Sequence, residues 1–513
     1  MRARVRDLTE GAVLVEYPEA GEQEANGLAI AASRRLASEK PAGFLDSVPG
    51  ARTLLVLFDP RLLDRERLAR GLAREKTPGG AAASRLLTIP VFYGGEAAVD
   101  LAELSRAASM EPEEFTRRHA EASYRVAFLG FAPGFAYLTG LPQALSTPRL
   151  STPRTRVPAG AVAIGGEYTG IYPGETPGGW RLIGRAAVRL FDAALDPPAL
   201  FAPGDRVGFE RIGAEEFEKR RRALPAPGGR EPAGRPVFRA VTAGLWTSVQ
   251  GAPRYGLGAC GVAPGGAMDP QALAHGNALA GNSQDAAALE ITLAGPELEV
   301  LADAAVVLTG GETDLSWNGR SAEGGTVLDV RAGDTLAIGR VRGGARSYLC
   351  VAGGLAHPAP TSLRLAPGDV LVAASGPAAG RPAAPSRSPG AAASGENVVR
   401  VLLGPQEDCF EEKGISTFLS SAYRVSSASD RRGVRLEGEK IAHRKSPEIP
   451  PEGTALGGIQ VPGDGQPIVL GPDRPVTGGY AKIATVLAAD FPLVAQAAPG
   501  SLLRFAAVPR PPA

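Results

Sequence analysis

Pro203–Glu210 reads PGDRVGFE, a Pro-Gly-Asp corner that feeds a short strand-like run. Proline presets the first turn dihedral, glycine takes positive φ without a Cβ penalty, and aspartate can bond the following backbone. The corner recurs as Ala332-Gly333-Asp334-Thr335-Leu336 and Pro367-Gly368-Asp369-Val370-Leu371, with a degenerate copy at Pro499-Gly500-Ser501-Leu502-Leu503. Each copy opens onto a similar segment: RVGFE, TLAIG, VLVA or LLRF. A single such turn is commonplace. Recurrence at the ends of similar β-rich blocks predicts related barrel-like units.

Working outward, the N-terminal stretch has a different texture. Leu54–Phe58 (LLVLF) reads as a buried strand, and Arg61–Arg74 follows with helical period, which predicts a small α/β unit over residues 1–87. Leu86–Phe92 starts a new strand, Asp100–His119 carries helical patches, and from Val126 the pattern is strand and turn, giving a barrel-like block over 88–213. Ala214–Pro236 is a charged turn running into Pro and Gly, and reads as a linker. Blocks at 237–372 and 398–513 flank Ala373–Asn397, a low-complexity Ala/Pro/Ser/Gly loop. One helix start is explicit: Asp269 as N-cap, Pro270 at the first helical position, and Gly281 as the stop.

With 66 Gly and 45 Pro in 513 residues, the chain favours short strands and turns over long helices. A net charge of +1 offers no whole-molecule field for nucleic acid or an anionic membrane. No apolar window approaches the length of a membrane span, and the N-terminus lacks a signal-peptide core. Cys260, Cys350 and Cys409 are scattered, which suggests reduced thiols in a cytoplasmic protein, and the four histidines show no metal-ligand spacing. Gly256–Gly261 fits GxGxxG, but no strand leads into it and no helix follows. No Walker lysine motif is present.

Two stretches carry candidate chemistry. Thr147–Gly160 (TPRLSTPRTRVPAG) holds Arg149, Arg154 and Arg156 on a proline-stiffened segment, and no Asp or Glu occurs between Glu121 and Glu167. A guanidinium fork suits carboxylate or phosphate, so an anion site is expected, weighed against a solvated basic edge. Val476–Val486 (VTGGYAKIATV) holds Lys482, one of only seven lysines among 55 basic residues, after a Gly-Gly pair. Asp473, Gln460, Gln466 and Arg435 lie nearby in sequence and together suggest a polar pocket floor.

Val126–Pro142 (VAFLGFAPGFAYLTGLP) and Thr152–Arg185 (TPRTRVPAGAVAIGGEYTGIYPGETPGGWRLIGR) resemble the B subunit of bacterial ATP-dependent 5-oxoprolinase, the KipI type. GLWTSVQ, GVAPGGAMDP, ALEITLAGPELE, YLCVAGGL, SDRRGVRLEG and Gly457–Val486 resemble the C subunit, the KipI-antagonist or biotin-dependent carboxyltransferase-like family. The motifs occur in order, so the chain looks like a B–C fusion, departing from the pattern at His357–Arg364, Arg432 and Pro450-Pro451. The resemblance implies a mainly β fold: an α/β N-terminal unit, one cyclophilin-like β-barrel in the B half and two related barrels in the C half. It implies ATP-dependent activation of 5-oxoproline by phosphorylation, with ATP and Mg2+ as cofactors and a separate 5-oxoprolinase A subunit that completes ring opening to glutamate. Lys482 and His119 are then the catalytic candidates. Arg149, Arg154, Arg156, Tyr172, Gln460, Gln466, Asp473 and Arg435 are the substrate- or phosphate-binding candidates, and no metal site is expected. A carboxyltransferase acting on urea or a related amide through carboxybiotin, and a regulator binding a sensor histidine kinase, are the alternatives.

Overall fold

The computed structural model describes residues 3–72, 84–225, 234–357, 362, 364–375 and 397–509. Most of the low-complexity loop, the second part of the expected linker and the middle of His357–Arg364 lie outside the described residues.

All four copies of the corner make one structure. Gly204, Gly333, Gly368 and Gly500 sit at φ 93, 90, 92 and 92°. Each donates its N–H to a strand residue whose own N–H returns to the next carbonyl of the corner: Val126, Val300, Ala240 and Val425 in turn. In three copies the aspartate carboxylate also accepts the N–H three residues back, from Ala202, Arg331 and Ala366. The corner therefore pins the strand after it to a neighbouring strand.

The N-terminal unit is a four-stranded antiparallel sheet in the order Arg4–Thr9, Ala12–Glu16, Thr53–Phe58, Phe44–Pro49. Alternation along AVLVE sends Val13 and Val15 toward the helix Glu22–Glu39, while Ala12 and Leu14 join Leu55, Val48, Ala455 and Val476 on the other face. Both faces are covered, so the central strands Ala12–Glu16 and Thr53–Phe58 are apolar along nearly all their length.

Two closed seven-stranded barrels follow, at Leu86–Arg211 and Asn397–Ala507. They match strand for strand. In each, the first strand runs parallel to the last: Leu86–Phe92 beside Arg206–Arg211, and Asn397–Leu403 beside Leu502–Ala507. Each also throws out a two-stranded ribbon, Arg154–Val157 with Thr176–Gly178 and Glu448–Gly453 with Thr477–Tyr480. Closure leaves no open strand edge in the ring. The central unit is built differently from the third barrel expected. Six- and five-stranded sheets pack face to face around Phe238, Leu298, Leu336, Leu289, Ile291 and Leu349. The helix Pro270–Leu279 begins as anticipated, with Asp269 Oδ1 accepting from Gln271 and Ala272 N–H at 3.1 and 3.0 Å.

The expected linker is partly structured. Ala214–Ala223 is a helix whose buried Phe217 packs on Phe92 of the first barrel, ring centroids 5.9 Å apart. Among the described residues, no helix is long and apolar enough to cross a membrane.

Candidate functional site

The arginine stretch does not stay unpaired once folded. Arg154 donates to Asp100 Oδ1 at 2.7 Å and to the Trp180 carbonyl at 3.3 Å. Asp100 stands 54 positions upstream, and its other oxygen accepts the Leu182 N–H at 2.6 Å. Arg156 pairs with Glu175 at 2.6 Å across the ribbon, both side chains largely exposed. The gap in acids along the sequence was therefore a poor guide: ribbon pairing and barrel closure bring in Glu175 and Asp100. Arg149 is exposed and makes no ion pair among the described residues. It lies near Tyr137 and Tyr172, whose hydroxyls burial pushes up to about 12 while the Arg149 charge pulls them back. Those rings belong to a buried aromatic cluster with Phe128, Phe135 and Trp180, built from the GFAPGFAY loop and the PGGW turn.

Lys482, on a wall strand of the second barrel, is buried at 1% exposure against the ribbon Glu448–Gly453. Its Nζ is 2.8 Å from Glu452 Oε1, a carboxylate that also accepts Gln406 Nε2 at 2.8 Å. Gln460 is Lys482's neighbour in strand pairing and is buried, with its amide against Gly478, where a Cβ would come within 2.5 Å. Lys482, Glu452 and the part-buried Gln406 thus form one polar group, with buried Gln460 on the adjacent strand. Asp473 belongs to a second: it takes Arg431 Nε at 2.8 Å and Ser362 Oγ at 3.0 Å, and Arg431, 3% exposed, also binds Glu290 and the Gly266 carbonyl. Gln466 is spent on the backbone of Gly438, and Arg435 is exposed. His119 is placed in the first barrel's core at 0% exposure. Its nitrogens meet Tyr93 Oη at 2.8 Å and Thr169 Oγ1 at 2.9 Å, and its ring stacks on Phe209. Burial drives its pKa down to about 3, so it is neutral at physiological pH.

The two barrels place their polar groups at matching stations. Asp100 N–H donates to the Leu182 carbonyl and the Asp100 carboxylate accepts the Leu182 N–H. Gln406 does the same with Lys482, both bonds 3.2 Å long. Opposite the first ribbon glycine stand Arg154 against Gly178 and Glu452 against Gly478. Asp100, Arg154 and Leu182 therefore correspond to Gln406, Glu452 and Lys482. Each barrel keeps one cation–anion pair at this spot, with the signs assigned to different positions. Arg154 and Lys482 thus belong to two ion pairs in two barrels, so the two basic stretches singled out in the sequence do not share one pair of charges. Gln406, Glu452 and Asp100 escaped the sequence reading because each sits far along the chain from its partner, in a stretch with no motif.

A family model described as carboxyltransferase domain, subdomain C and D matches residues 3–201, and one described as subdomain A and B matches residues 260–507. The B subunit of 5-oxoprolinase from Bacillus subtilis (strain 168) is 34% identical over 235 residues, 42% of this chain and 96% of its own. The C subunit of 5-oxoprolinase from Escherichia coli (strain K12) is 33% identical over 280 residues, 52% of this chain and 90% of its own. The chain belongs to the B- and C-subunit families of 5-oxoprolinase, joined in that order. The crystal structure of TTHA0988 shares the whole arrangement, with a TM-score of 0.81 and 34% identity over 98% of this chain and 100% of that one.

The B and C halves meet beside the lysine. Ala51 N–H of the B half donates to the Pro451 carbonyl at 2.7 Å, one residue from Glu452, and a Cβ on Gly130 would fall onto Thr477 Oγ1 in the C half. Arg432 reaches the Phe131 carbonyl at 3.3 Å. The glycine-rich loop Gly256–Gly261 does cradle an anion, but it is the protein's own. Asp46 Oδ2 of the B half accepts the Gly256 and Gly258 N–H groups at 2.9 and 3.0 Å. Burial raises the Asp46 pKa, and these backbone donors oppose the rise.

Proposed function

We propose that the chain is the B/C component of an ATP-dependent 5-oxoprolinase, activating the lactam for ring opening to glutamate together with a separate A subunit. One observation carries the reading: relatives named as B and C subunits match the two halves over nearly their own full lengths, and here the halves meet next to the buried Lys482–Glu452 pair.

A lactam carbonyl is a poor electrophile because the amide is resonance-stabilised. Transfer of the γ-phosphoryl group of ATP to the lactam oxygen, with ADP leaving, turns that oxygen into a leaving group. Water then adds at the carbon and the C–N bond opens, the ring nitrogen leaving as the free amine and the carbon remaining as an acyl phosphate; a second water releases phosphate and completes glutamate. Such a path needs cations held in place beforehand. Lys482, fixed by Glu452 and Gln406, is suited to steadying charge on the substrate in a dry site. Arg149, beside the Tyr137 and Tyr172 rings, is suited to a second anionic group. The Gly256–Gly261 loop does not fit a nucleotide, because Asp46 occupies its amides. Among the described residues no three metal-ligating side chains gather, so Mg2+ would arrive with the nucleotide phosphates.

The test is ATP turnover by the purified chain with a matching A subunit. The expected result is ADP and glutamate formation dependent on 5-oxoproline; turnover indifferent to 5-oxoproline would sink the assignment. The carboxyltransferase description of both family models favours a second reading, transfer from carboxybiotin to an amide, which carboxylated product from a biotin-carrier partner would establish instead.

A further inference from the structure

Arg125 and Arg206 face one another directly on adjacent antiparallel strands of the first barrel. Like charges in that register repel. Arg34 approaches from the helix Glu22–Glu39, donating to the Pro203 carbonyl at 2.6 Å. Among the described residues none of the three makes an ion pair. The half-buried Arg125 guanidinium is less basic than usual, first because of burial and then because of Arg34. Three arginines have been brought close together without an ion pair to any carboxylate among the described residues.

Two of them, Arg125 and Arg206, line a cavity of about 440 Å3 between that helix and the barrel, with Gln23, Asn26, Thr139 and Tyr168 among the other lining residues. Glu22, the only carboxylate in its lining, is engaged by Tyr168 Oη at 3.2 Å. A volume of that order takes a small organic molecule, not merely an ion. Planar forks placed opposite each other suit a multiply charged oxyanion that both can grip.

We infer that this cavity is a binding site for the phosphoryl group of a small phosphorylated molecule, bridged by Arg125 and Arg206. The site is independent of the Lys482–Glu452 pair and does not rest on the 5-oxoproline assignment.

The experiment is calorimetry and thermal denaturation of the full chain with inorganic phosphate, ribose 5-phosphate and glutamate as probes. Ribose 5-phosphate should bind saturably and raise Tm, inorganic phosphate should do so more weakly, and glutamate should not. Arg125→Gln and Arg206→Gln should each weaken ribose 5-phosphate binding about tenfold or more, as expected for losing one charge-assisted contact. In phosphate-free buffer Arg125→Gln should raise Tm, because the facing charges no longer repel. Failure of both phosphates to bind, glutamate binding as well as ribose 5-phosphate, or unchanged binding by either variant overturns the proposal. So does a lowered Tm for Arg125→Gln, which would make the arginine a structural prop.

Discussion

Lys482 and Glu452 are both almost wholly withdrawn from water, with side-chain exposures of 2 and 7%. Removing one partner strands the other's charge in a low-dielectric interior, which costs about 3–5 kcal/mol. Lys482→Met should therefore lower the urea-unfolding free energy by about that amount, and Lys482→Met/Glu452→Leu should recover most of it. Either variant should lose 5-oxoproline-dependent ATP turnover, separating the ammonium's role in chemistry from its role in folding. Arg156→Ala is the contrast: its exposed pair with Glu175 should be worth less than about 1 kcal/mol. His119 makes a prediction in pH. Its folded pKa, about 3, lies below the unfolded value of 6.5, so the unfolded chain binds the extra proton between them. The stabilisation is complete above pH 6.5 and is lost as pH falls toward 3, at about 1.4 kcal/mol per unit. His119→Gln should flatten the slope of urea midpoint against pH between 7 and 5, whereas a slope equal to wild type would mean the imidazole is solvated.

At the scale of elements, the four Pro-Gly-Asp-type corners carry the architecture because each fixes where a strand begins and which strand it joins. Gly333 and Gly500 are at φ 90 and 92° with open space around them, so an added methyl meets no atom and the cost is conformational alone. Gly333→Ala and Gly500→Ala should each destabilise by about 1–2 kcal/mol. Gly208, in the strand after the first corner, has equal room without positive φ, and Gly208→Ala should be neutral or slightly stabilising. Denaturation midpoints of the three variants decide this; equal losses in all three would mean that packing, not dihedral, governs the corners. These corners were legible in advance because turn chemistry is local. The sheet order was not, since strand pairing joins residues far apart in the chain.

For the whole molecule, the halves are held by surfaces that exclude extra volume: Gly130 lies against Thr477, and Gly50 against Pro451 and Glu452. The B- and C-type relatives are separate polypeptides, so two chains divided between residues 225 and 234 should co-purify as a complex. Gly130→Val should cost about 1–3 kcal/mol of overpacking, or about 5- to 150-fold in affinity. Thr477→Gly in the other polypeptide should restore binding by making room. The order of the motifs along the chain by itself determined the family, the β-rich class, the repeated corners and the helix cap at Asp269, because each is written in neighbouring residues. Only the tertiary structure decided which charges meet. Asp100 neutralises Arg154, Glu452 holds Lys482, Asp46 fills the glycine-rich loop, and Arg125 is left facing Arg206. Electrostatic energy depends on distance in space, and barrel closure together with the packing of one unit on another brings within 3 Å groups that the chain separates by tens or hundreds of residues.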